Sequence, residues 1–160
     1  MTDDDVIPLH EWLDHMKDVT DEMARGPLRF TSAAGARVKE PPGERPGSYI
    51  AVLSAFNSMH LGVTSSAAGC RALARALIGA EREQEMSDAE VMDGINEFVN
   101  IVAGKVKARL QGRDGTLRLG LPHFLTTPVR ITDSMERATD RVRVGPVECQ
   151  LLVFRNKRAA

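Results

Sequence analysis

At 160 residues the chain fits one domain on the usual scale of roughly 100–200 residues apiece, and it is long enough to bury a real core. Its 42% hydrophobic and 27% charged content, with a mean hydropathy of -0.22, exclude a disordered or membrane-embedded class. Twenty-one basic against 22 acidic side chains supply no global field for gathering nucleic acid or anionic lipid, and one Trp, one Tyr and five Phe are too few for a base-stacking platform.

In chain order, residues 8–24 place Leu9, Trp12, Leu13, Met16, Val19 and Met23 at spacings of three and four, which predicts a helix over about 8–25 stopped by Gly26 and Pro27. Residues 28–40 alternate weakly, as a strand does. PPGERPG at 41–47 reads as a loop inside one domain, since what precedes it is too short for a core of its own. Runs 48–56 and 58–66 predict two strands in a tight hairpin about Asn57. A helix follows from Ala67 to Gly79.

Ser87-Asp88-Ala89-Glu90 is a capping box opening a longer helix that runs to Leu110, where QGRDG ends it. The segments 116–125, 128–134, 140–146 and 147–154 read as strands, with SMERATD at 134–140 as a helical turn. Cys70 and Cys149 lack CxxC spacing, so they are expected to be buried small hydrophobes rather than metal ligands or a dithiol. The acidic start, Met1 to Asp5, lacks the features of a signal peptide, and no unbroken apolar run approaches roughly 18 residues. A cytoplasmic protein is the expectation.

The 87–110 helix carries the strongest signal. At 100° per residue Val91, Ile95, Phe98, Val99, Val102 and Val106 share one arc, the buried face. Glu90, Asp93, Glu97, Asn100, Gly104 and Ala108 fall within about 60° of Glu97 on the opposite side. A solvated face with acids near a helix start is ordinary. Asn and Gly are not ordinary there: both are poor helix formers, Gly by about 1 kcal/mol relative to Ala, and Gly104 strips bulk from the stripe one turn after Asn100. Glu97 has Ile101 rather than a base at i+4 and Asp93 at i−4, so these acids call for an external cation.

Asp93-x3-Glu97-x2-Asn100, within DGINEFVNIVAGKVKARL, after a small-residue helix ending ALIGAE and ahead of Pro122, resembles the CheC/CheX/FliY family of chemotaxis phosphatases. A single such helix in a chain of this length is similar to CheX. The resemblance implies one α+β domain over 1–160, a mostly antiparallel β-sheet with two long helices packed on one face, and a homodimer joined at sheet edges. It also implies hydrolysis of the phospho-aspartate of a CheY-type response regulator. Asn100 would position the attacking water, and Glu97 would pair with the regulator's lysine. Asp93, Ile101 and Gly104 would contact the partner. No cofactor or metal of its own is implied, because Mg2+ arrives with the receiver domain.

The rival reading is a non-catalytic dimeric adaptor of the same fold that binds a response regulator without dephosphorylating it. His10, His15, His60 and His123 show no ligand spacing and read as packing or surface residues, His123 standing out only for its place beside Pro122. Lys105, Lys107, Arg109, Arg113, Arg118 and the RNKR end at 155–158 read as a solvated positive face or tail, without nucleic acid as a partner.

Overall fold

The computed structural model describes residues 3–28, 30, 45–79 and 85–158. Apart from Leu28 and Phe30, the predicted strand over 28–40 lies outside the described residues, as does most of the 41–47 loop. Three helices, α1 (Leu9–Arg25), α2 (Ala67–Ile78) and α3 (Asp88–Leu110), accompany six strands. These are β1 (Gly47–Leu53), β2 (Met59–Thr64), β3 (Arg118–Leu119), β4 (His123–Leu125), β5 (Met135–Val144) and β6 (Val147–Asn156). Every pairing is antiparallel, in the order β3-β1-β2-β6-β5, with β4 also on β1. The fold is α+β, as expected.

Local chemistry fixes the starts of α2 and α3 and the end of α2. The α3 capping box is complete: the Ser87 hydroxyl accepts from the Glu90 amide, and the Glu90 carboxylate accepts from the Ser87 amide. Ser66 caps α2 by accepting from the Gly69 amide, and Gly79 closes it in the left-handed region at φ 69°, which favours glycine. The stripe of α1 buries Trp12, Leu13, Met16, Val19 and Met23.

The main core lies between the helices and one sheet face: α1 packs over β5 and β6, α3 over β1 and β2. Cys70 and Cys149 are free and buried there, and desolvation pushes their thiols up to about 11 and about 12, so both stay protonated and unreactive. A smaller cluster of Tyr49, Leu152 and Phe154 forms on the other sheet face under Val129, Ile131 and Met135.

Four expectations are corrected. SMERATD is part of strand β5, in register with β6 from Met135↔Asn156 to Val144↔Val147. Its alternation was disguised because the helix-facing Asp140 is charged, satisfied by Lys17 of α1 at 2.7 Å. Segment 128–134 is not a strand: Val129 and Ile131 alternate because they cover the second cluster, and Pro128 has no N–H for a ladder. The 116–125 strand is two short ones interrupted at Gly120–Pro122, where the Gly120 amide still donates to the Ala51 carbonyl at 2.8 Å.

The hairpin is not tight either, since residues 54–58 connect β1 to β2 with Asn57 turned into the interior. Asn57 accepts from the Ile7 amide at 2.7 Å, and its amide group donates to the Asp5 carbonyl and to Asp114. Asp114, 4% exposed, also accepts from the Thr116 amide and hydroxyl at 2.9 and 2.6 Å. Burial alone would raise its carboxyl, but the bonds from Asn57, Thr116 and Ser54 outweigh that and hold it at about 2.

Candidate functional site

Helix α3 is the centrepiece of the layer above β1, and its rotation is fixed on three sides. Val91, Ile95, Phe98, Val99, Val102 and Val106 are all buried, as their phase predicts. On the sheet side the fully buried Ser48 of β1 donates to the Asn96 carboxamide oxygen at 2.6 Å. Toward α1, Arg109 pairs with Asp18 and Glu22, and Arg113 bonds both carboxylate oxygens of Glu11 at 2.8 and 2.9 Å. These bases were read as a solvated face; Arg109 and Arg113 instead clamp α3 to α1. At the other end of the chain Arg155 pairs with Glu136 and Arg158 donates to the Phe56 carbonyl, so that segment is anchored as well.

Held in this phase, α3 turns Asp93 and Glu97 into solvent and leaves Asn100 and Gly104 half-buried on the same stripe. Asp93, Glu97 and Asn100 have no ion pair or side-chain hydrogen bond among the described residues, which leaves their polar atoms available to another molecule. A Cβ built on Gly104 would meet nothing nearer than Leu119 Cδ1 at 4.0 Å. No packing among the described residues demands the glycine.

Ile101 packs partly against the core and partly lines an open groove of about 480 Å³ beside the stripe. Glu90, Asp93 and Glu97 form the groove's acidic side, Leu77 and Ile78 of α2 its apolar side. The two helices touch at Gly94, where a Cβ would stand 2.6 Å from Ala74 Cβ and 3.1 Å from Ala74 Cα. Of the predicted set, Asp93, Glu97, Asn100, Ile101 and Gly104 thus share one helix surface. His123 does not join them: it stands opposite Tyr49 in the β4–β1 ladder, and its neighbour Phe124 is the one turned to the helix side.

The sequence model for the family described as Chemotaxis phosphatase CheX matches residues 49–150, which contain the whole stripe but not Ser48 or the α1 acids that brace it. The chain belongs to the CheX family. No curated protein sequence matches the chain. Among solved structures, a CheX chemotaxis protein from Vibrio vulnificus is similar over 92% of this chain and 95% of its own, with 14% identity and a TM-score of 0.62. A CheC-like superfamily protein from Shewanella sp. PV-4 covers 98% and 100% at 16% identity and a TM-score of 0.62. A CheX–CheY–BeF3–Mg2+ complex from Borrelia burgdorferi covers 92% and 97% at 14% identity and the same TM-score of 0.62. At these identities the neighbours establish a CheC/CheX-like fold.

Two contributors to this CheX-family site escaped the sequence reading. Asn96, which the sequence reading did not single out, registers the helix on the sheet through its bond to Ser48. The available signal was a poor helix former at the border of the apolar arc. The apolar side of the groove, Leu77 and Ile78, was read as ordinary helix phase; Ile78 is 54% exposed, and that shows only once the neighbouring helix is placed.

Proposed function

We propose that this CheX-family chain hydrolyses the phospho-aspartate of a CheY-type response regulator, acting in the cytoplasm. The observation that carries the reading is an unpartnered carboxamide, Asn100, one turn from an unpartnered carboxylate, Glu97, on a helix face braced from three sides. Phosphoryl transfer to water needs an in-line nucleophile and neutralised phosphoryl oxygens more than covalent help. The receiver contributes its own Mg2+ and lysine, so this chain contributes position. A carboxamide can accept from and donate to the attacking water without adding negative charge beside a dianion. Glu97 pairs with the receiver's lysine and sets the depth of insertion, while Asp93, Ile101 and Gly104 meet the receiver around it.

The decisive assay is the lifetime of a phosphorylated CheY-type receiver with and without the protein. Wild type shortens it, and Asn100→Ala removes about a hundredfold of that acceleration, the scale for losing one group aimed at a reacting centre. Equal acceleration by Asn100→Ala would refute the mechanism. A wild type that binds the receiver and leaves its lifetime unchanged would identify the adaptor instead.

The same reading includes a homodimer joined edge to edge. β5 supports it: ten residues long, it is bonded to β6 on one side and to no strand on the other among the described residues.

A further inference from the structure

The groove between α2 and α3 has features that positioning a water does not require. Its α2 side ends in Leu77 and Ile78, and Ile78 is 54% exposed on the last turn of a helix, where a β-branched apolar side chain contributes neither propensity nor packing. Ile101 continues the apolar lining from α3. The groove exists because Gly94 lets the helices touch at Ala74, and Gly79 then turns the chain out of α2 immediately after Ile78.

Charge gives the occupant its chemistry. Glu90, Asp93 and Glu97 line the groove, no Lys or Arg does among the described residues, and the C-terminal, partially negative end of α2 adds to the same potential. Glu90 is engaged by Ser87, whereas Asp93 and Glu97 have no partner among the described residues. An apolar strip under unneutralised carboxylates complements a segment that offers an aliphatic side chain flanked by lysine or arginine. Glu97 and Ile101 belong both to the groove and to the stripe bearing Asn100, so whatever fills the groove is continuous with what meets Asn100.

We propose that this groove seats a cationic, aliphatic segment of the receiver domain outside its phosphorylation site, so that choice of receiver resides between α2 and α3 while the reaction resides at Asn100. This rests on the phosphatase reading above. Affinity for a receiver then depends on Leu77 and Ile78, which lie outside the Asp-Glu-Asn pattern, and two family members with the same pattern can serve different regulators.

The test is titration of CheY-type receivers, activated with beryllofluoride and Mg2+, against wild type, Ile78→Asp, Asp93→Asn and Asn100→Ala, with thermal melts of each. Ile78→Asp raises Kd about tenfold with only the small loss of melting temperature that an acid at a helix C-terminus causes, and Asp93→Asn weakens binding while flattening its salt dependence. Unchanged affinity in Ile78→Asp overturns the proposal even where wild type accelerates dephosphorylation. Unchanged affinity with a larger loss of melting temperature overturns it in favour of the chain's own 80–84 segment as occupant. A wild type that binds but leaves the phosphoryl lifetime alone refutes the phosphatase reading only, and the groove stands if Ile78→Asp still weakens binding. Binding to no receiver in the panel overturns both.

Discussion

Gly104→Ala separates what the fold needs from what a partner needs. The residue is interior to α3, it does not occupy the left-handed region, and an added Cβ meets only Leu119 Cδ1 at 4.0 Å. Overpacking therefore contributes nothing, and helix propensity alone acts, worth about 1 kcal/mol in favour of alanine. For a chain of this size that raises the melting temperature by about 2–4 °C. The same methyl stands one turn, about 6 Å along the axis, beyond Asn100 on the outward stripe. A receiver backbone packed on the glycine would be displaced by about 1 Å, enough to slow a water-positioning reaction by about tenfold to a hundredfold. The expected variant is more stable and less active, read by calorimetry alongside the decay of a phosphorylated receiver. A more stable protein with undiminished activity would remove Gly104 from the interface. A less stable one would refute the structural premise.

Two further outcomes follow from other parts of the molecule. Asp114 has an ordinary pKa near 3.8 when unfolded and about 2 when folded, so its ionised form stabilises the fold at neutral pH. That contribution, about 2 kcal/mol, is present above pH 3.8 and lost as pH falls through 2. Urea denaturation should accordingly show an Asp114→Asn penalty that is largest near neutrality and shrinks toward pH 2. A penalty constant across that range would contradict the linkage. In β5 the exposed Arg137, Arg141 and Arg143 share the face away from the helices. Antiparallel pairing of two β5 strands about a two-fold axis normal to the sheet keeps faces together, so a centre at Thr139 sets Arg137 against the partner's Arg141. Sedimentation equilibrium should find the dimer favoured as salt rises from about 0.05 to about 0.5 M, and dissociation over that range would place the interface elsewhere.

How much was legible in the sequence depended on how local the signal was. The capping box of α3, its buried arc and the shared phase of Glu97, Asn100 and Gly104 are set within a few residues, and each lies where the 3.6-residue period places it. What stayed hidden involves partners far apart in the chain. Lys17 neutralises Asp140 from 123 residues away, which allowed a charge on the inner face of β5 and broke the alternation that marks a strand. Arg113 looked solvated because its acid, Glu11, is 102 residues earlier. Asn57 resembled a turn residue, yet it links Ile7, Asp5 and Asp114 in the interior.

The near-zero net charge conceals local patches of single sign. Carboxylates of α3 lie on the helical side of the sheet, and the β5 arginines lie on the far side. In the field of a basic surface the α3 carboxylates are drawn in and the β5 arginines are repelled before contact. Under the proposed function, encounter with a receiver that offers a cationic segment is then biased toward collisions that lead with α3. The substrate in that reading is another freely diffusing protein, and such a bias would raise the fraction of encounters that arrive facing the right way.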